Sequence, residues 1–122
     1  TPTGSSKLVD LNFDPPFSNA PAFRTATLVA DPGFAAGFRP RVVSASIALA
    51  WVATGQRAAY ITDGDVSDSV HFAAGLALCE GAGCVVTDLR GRAWGSGATG
   101  LIAAADTETH SALLALVRKY LG

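Results

Sequence analysis

The chain has 122 residues, 49% of them hydrophobic and only 16% charged, with a formal net charge of −1. This composition is far from that of a disordered polymer, and the charge removes the electrostatic basis for binding nucleic acid or an anionic membrane surface. The length suits a single α/β domain over residues 1–122 with its own core.

No apolar stretch approaches the ~20 residues of a membrane-spanning helix, and no charged segment leads into an apolar one at the N-terminus. The expectation is a cytoplasmic protein with neither membrane nor nucleic-acid partners. The sequence opens Thr1-Pro2-Thr3 and contains no methionine, so the question of upstream sequence stands open.

Taken in order, Lys7 to Phe13 alternates as a strand and stops at Asp14-Pro15-Pro16, which cannot continue a ladder. Between Ala22 and Ala36 the break Asp31-Pro32-Gly33 divides a short helix from a turn or two of helix after it. Arg41-Val42-Val43-Ser44 is β-rich, and Ser44 or Ser46 can cap the apolar helix Ile47 to Ala53, which ends before Gly55. Arg57 to Thr62 reads as a buried strand, followed by the loop Asp63-Gly64-Asp65.

A helix then opens at Asp68 or Ser69 and runs to about Glu80, with Gly81 and Gly83 expected to break it. Cys84 to Leu89 and Leu101 to Ala105 read as strands on either side of a glycine-rich turn region. The last helix is capped by Asp106 or Thr107, carries Glu108 near its positive end and Arg118 and Lys119 near its negative end, and has Leu113, Leu114, Leu116, Val117, Tyr120 and Leu121 as its broad apolar face. Strands alternating with helices predict a layered α/β domain whose central sheet is covered by helices. Cys79 and Cys84 lack the C-x-x-C spacing and a histidine cluster, so both read as plain buried thiols.

Three stretches in fixed order carry a family resemblance. They are Arg41-Val42-Val43-Ser44-Ala45-Ser46-Ile47 with the helix ending Ala53-Thr54-Gly55, then Ser69-Val70-His71-Phe72-Ala73-Ala74-Gly75, and then Gly81-Ala82-Gly83-Cys84-Val85-Val86-Thr87-Asp88-Leu89. Together they resemble the C-terminal half of the inositol monophosphatase family: its arginine strand and small-residue turn, its Trp-Asp-Val-Ala-Ala-Gly motif, and its Glu-Ala-Gly-Gly-x-Val-Thr-Asp segment. The closing strand and helix fit as well, whereas residues before Arg41 match only loosely.

The resemblance implies a layered α/β/α domain with a central mixed sheet, equivalent to the C-terminal half of the inositol monophosphatase / sugar phosphatase fold, in a magnesium-dependent phosphomonoesterase. In it, metal-activated water attacks a small phosphorylated metabolite, and this half positions the alcohol portion of the substrate. The substrate edge would comprise Ser44, Ala45, Ser46, Asp63 and His71. His71 stands where the family's motif has a metal-ligating aspartate, and its imidazole is a poor substitute for an oxygen ligand to a hard cation.

The family's other acidic motifs, Gly-Asp/Glu-Glu and Asp-Pro-x-Asp-Gly-Thr, do not occur in this chain. No catalytic residue is therefore assigned, magnesium is expected for the complete enzyme, and no cofactor is expected on this chain alone. The implied partner is an N-terminal half or a second copy. A degenerate, non-catalytic binding domain is the alternative.

Other readings compete at each position. His71 can be a helix-start histidine satisfied by Asp68, Asp63 a turn residue, and Ser46 a cap, while Asp65 and Asp68 read as solvated loop acids. His110 is assigned to the surface, Asp88 to a structural role at a strand end, and Trp51 and Trp94 to packing.

Overall fold

The computed structural model describes residues 2–12, 25–42, 47–62, 70–92 and 100–120. Strand β1 (Leu8–Asn12) alternates its side chains between two covered faces. Val9 and Leu11 enter one core cluster, and Asp10 points to the other side, as the period of two requires.

Short helices α1 (Thr25–Val29) and α2 (Pro32–Gly37) follow. The Asp31-Pro32-Gly33 break between them is itself a helix start: the Asp31 side chain accepts from the Phe34 N–H at 3.0 Å, and proline sits where no helical N–H is needed.

Strand β2 (Arg39–Val42) begins two residues before the sequence-based expectation and includes Pro40. It lies at the edge of the sheet, where a missing N–H is tolerated, and Arg39 and Arg41 on either side are exposed. Helix α3 (Ile47–Ala53) and strand β3 (Ala59–Thr62) match their expected ranges closely.

Helix α4 (Val70–Ala82) runs through Gly81, which was expected to break it. The stop is Gly83, at φ +94°, with its N–H bonded to Glu80 O at 3.2 Å and the Cys84 N–H bonded to Cys79 O at 2.9 Å. Only the second glycine is asked to adopt a left-handed backbone, so only it ends the helix.

Strands β4 (Val85–Thr87) and β5 (Leu101–Ala104) and helix α5 (Thr107–Arg118) complete the fold. Asp106 caps α5 by accepting from Thr109 N at 2.7 Å.

The sheet order is β2-β1-β3-β5-β4, with β1 parallel to β2 and β3, and β5 antiparallel to both β3 and β4. One face buries Val9, Leu11, Ala59, Ile61 and Ile102 against Leu28, Phe34, Leu113 and Val117 of α1, α2 and α5. The other buries Tyr60, Leu101 and Ala103 against Leu49, Val52, Leu76 and Cys79 of α3 and α4. Each buried leucine of this kind stabilises the fold by roughly 1.5–3 kcal/mol relative to exposure. The result is the expected α/β/α layering around a mixed sheet.

Helix α4 is apolar nearly all round, a composition suited to a helix covered on all sides. Here Ala74, Ala77, Leu78 and Gly81 lie exposed along one stripe, and Leu78 retains 50% of its accessible surface. No described helix is long and apolar enough to cross a membrane.

Candidate functional site

The three parallel strands end together. Register pairs Leu11 with Val42 and Asn12 with Thr62, so β1, β2 and β3 reach their carboxyl ends at one edge of the sheet. The chain leaves β1 toward α1 on one face, and leaves β2 and β3 toward α3 and α4 on the other. Neighbouring strands whose connections diverge to opposite faces open a crevice at their carboxyl ends, the usual ligand position in open α/β sheets.

At the centre of this edge, Asn12 Nδ2 donates to Thr62 Oγ1 at 3.2 Å. Both side chains lie on the face covered by α3 and α4, because they share the alternation of Asp10 and Tyr60. Thr62 also pairs with Leu101 of β5. Next to it Gly100 sits at φ +80°, where an added Cβ would stand 2.4 Å from Leu89 Cδ1 and 3.1 Å from Thr62 O. Glycine is thus required for the turn into β5 to approach the end of β3.

Of the expected site residues, Ser44, Ala45, Ser46 and Asp63 lie outside the described residues. So do Asp65, Asp68 and Trp94. The connections carrying Ser44 to Ser46 and Asp63 begin immediately after Val42 and Thr62, at the carboxyl edge. His71 is the second residue of α4, whose backbone starts where the connection from β3 ends, and its side chain is outside the description. The motif glycine Gly75 has a clear packing role: a Cβ there would fall 2.8 Å from Leu49 Cδ1 and 2.9 Å from Leu49 Cβ, so its absence lets α4 lie close against α3.

Among the described residues, no three His, Cys, Asp or Glu side chains converge as a metal site. The described residues therefore offer no oxygen-ligand set of the kind magnesium takes. No step is assigned to a metal held by the described residues.

The described buried acids serve the framework. Asp10 accepts from Arg57 Nε at 3.0 Å, and the Arg57 guanidinium lies over the Trp51 ring at 4.8 Å. Burial raises the Asp10 pKa against the opposing pull of Arg57, and its Oδ2 has no partner among the described residues.

Asp31 accepts from the Tyr120 hydroxyl, from Lys119 Nζ at 3.1 Å and from Phe34 N at 3.0 Å, bonds that hold its pKa at about 2. Asp88 accepts from the N–H groups of Arg90 and Arg92 and from Arg92 Nε, each at 2.9 Å. Burial would raise its pKa, but these donors together lower it. That is the structural role expected of Asp88.

His110 departs from expectation. It is 7% exposed, not on the surface, and its Nε2 lies 2.7 Å from Thr87 Oγ1. Burial, then the charge of Arg118, lowers its pKa. The sequence carried a signal for this, since His110 stands three residues before Leu113 and seven before Val117, on the inward stripe of α5. Asn12 and Thr62, also not anticipated as an edge pair, had weaker signals: Thr62 is the last residue before the loop Asp63-Gly64-Asp65, and Asn12 stands two residues before Asp14-Pro15-Pro16.

Comparison with known proteins agrees with this architecture. The model of the inositol monophosphatase family matches residues 5–121. An IMPase of Thermotoga maritima superposes with a TM-score of 0.70 at 20% identity, covering 93% of this chain and 41% of that one. Inositol monophosphatase from Anabaena gives 0.70 at 20% identity, covering 98% and 46%. The extragenic suppressor protein suhB of Bartonella henselae gives 0.70 at 19% identity, covering 92% and 41%. No curated relative matches significantly.

At such identities the structural likeness carries the fold, and the chain spans less than half the length of these structures. The match over nearly the whole sequence, joined to a five-stranded mixed sheet of the same fold, settles the assignment: this chain belongs to the inositol monophosphatase family.

Proposed function

We propose that this chain is the substrate-side domain of a magnesium-dependent phosphomonoesterase, corresponding to the C-terminal half of its family's fold, and that it does not hydrolyse phosphate esters alone. The observation that carries this reading is the family match over residues 5–121 in a chain spanning only 41–46% of the solved relatives. In this reading the acids that hold magnesium belong to a second domain.

The turn Ser44-Ala45-Ser46, the loop acid Asp63 and His71 form the substrate contacts. The first N–H groups of α4 and the positive end of its dipole receive a phosphate oxygen. The same field disfavours imidazolium, so a neutral His71 donates one hydrogen bond to the ester. Asp63 accepts from a hydroxyl of the alcohol portion. The ligand is a small phosphorylated metabolite.

The partner is an N-terminal half or a second copy, and the exposed apolar stripe of α4 is surface available to either.

His71 at the motif's aspartate position favours a second reading, in which the domain keeps the fold and binds without catalysing. A phosphate-release assay with magnesium separates the two. The chain alone is expected to release none. A protein that also contains the family's acidic motifs is expected to release phosphate, and Asp63→Asn is expected to reduce that activity strongly. Turnover by this chain alone would refute the substrate-side reading, and an inactive longer protein would favour the binding domain.

A further inference from the structure

The two cysteines, unremarkable in sequence, are brought together by the way α4 ends. Gly83 at φ +94° reverses the chain, the Gly83 N–H bonds Glu80 O at 3.2 Å and the Cys84 N–H bonds Cys79 O at 2.9 Å. This paired arrangement is the glycine-terminated helix stop in which the residue two past the helix packs its side chain against the residue at the start of the last turn. Those two residues are Cys84 and Cys79, and both belong to the core cluster between α3, α4 and the sheet.

Both are free thiols, Cys84 packs against the buried cluster that holds Cys79, and burial raises both pKa values, that of Cys79 to about 12. A disulfide needs Cα atoms about 4.4–6.8 Å apart with converging side chains; a backbone hydrogen bond between the same two residues is the arrangement that brings them together.

The pair is also asymmetric in access. Cys79 is fully buried and its thiol donates to Leu49 O at 3.1 Å, whereas Cys84 is half-buried. Gly81 and Gly83 beside it leave open space, since a Cβ on either would meet nothing within 4 Å. A reagent therefore reaches Cys84 first, and Cys79 can only follow.

We propose that Cys79 and Cys84 form a dithiol modification site, closed to an intramolecular disulfide by exchange with a low-molecular-weight disulfide of the glutathione class. The Cys84 thiolate attacks one sulfur of the reagent, forming a mixed disulfide and expelling one reagent thiolate, which takes up a proton. The Cys79 sulfur, losing its proton to solvent, then attacks Cys84 Sγ, and the second reagent thiol leaves. Two protein thiols are oxidised, one reagent disulfide is reduced to two thiols, and no other oxidant is needed. Closure withdraws the Cys79 thiol from Leu49 O, and so removes one tie between α4 and α3. The second step is intramolecular, which favours it over a second reagent thiol returning to reopen the mixed disulfide.

The test is intact-mass analysis of the native chain after incubation with oxidised glutathione and acid quenching. These are the only two cysteines in the sequence, so the assignment is direct. The expected product is lighter by two hydrogen atoms, carries no lasting glutathione, and is restored by dithiothreitol. Cys79→Ser should accumulate the glutathione adduct on Cys84, and Cys84→Ser should leave Cys79 unmodified while the chain is folded. A persistent adduct on the unsubstituted chain, two thiols that stay free, or a disulfide joining two chains would each overturn the proposal. The unsubstituted chain decides the matter even if a serine variant fails to fold.

Discussion

Asn12 and Thr62, fifty residues apart, close the carboxyl edge of the sheet with a side-chain hydrogen bond of 3.2 Å between the last residues of β1 and β3. Asp63 follows directly, so this bond fixes the point from which the proposed site loop departs. A double-mutant cycle of Asn12→Ala and Thr62→Val, followed by urea unfolding, should return a coupling of about 0.5–1.5 kcal/mol. A coupling near zero would mean that the bond does not hold the two strand ends together.

Gly75→Ala should destabilise the domain although alanine is the better helix former. The helix-propensity gain is about 1 kcal/mol, whereas forcing a methyl into a packed core costs roughly 1–3 kcal/mol. The Leu49 Cβ at 2.9 Å is too near its own backbone to swing away cheaply. A lower urea midpoint with unchanged slope is the expected result, and a raised midpoint would show that α3 yields freely.

Asp31 ties α2 to the C-terminal end of α5 through Tyr120 and Lys119. Its folded pKa of about 2 lies below the ordinary 3.8, so its contribution to stability is present above 3.8 and is lost as the pH falls toward 2. Unfolding measured across that interval should steepen with acid, and Asp31→Asn should lower stability at neutral pH while flattening the acid limb. An unchanged limb in the variant would assign the acid sensitivity to other carboxylates.

His110 should titrate below 6.5 in the folded chain, because burial and Arg118 oppose its protonation. A base with a depressed folded pKa destabilises the fold as the pH drops below 6.5, where the unfolded chain gains the proton more readily. The imidazole resonances followed by NMR report this midpoint directly. A midpoint above 6.5 would contradict a buried, neutral ring bonded to Thr87.

Much of this architecture was legible in the sequence because its period is strong where burial is one-sided. Leu113 and Val117 announce the inner face of α5, and the Asp31-Pro32-Gly33 break separates α1 from α2, whereas the Asp14-Pro15-Pro16 stop lies outside the described residues. What was not legible depends on neighbours distant in sequence. Pro40 is acceptable in β2 only because β2 is an edge strand, which is a fact of sheet order.

Gly81 and Gly83 look alike locally, and only the latter takes a positive φ. His110 reads as a surface residue by type, whereas its spacing to Leu113 and Val117 points inward, where it is buried. The candidate site was legible as motif order alone; the convergence of the ends of β1, β2 and β3 required the parallel register that pairs Asn12 with Thr62.

The most direct test of a substrate-side role is an amide-resonance titration of the isolated chain with millimolar inositol monophosphate, against unphosphorylated inositol as control. The account predicts phosphate-dependent shifts at Asn12, at Thr62 and Asp63, over Val70–Ala73 and at Gly100, with none at Ala58 or Gly83 on the opposite edge. Absence of shifts, or shifts confined to that opposite edge, would contradict it.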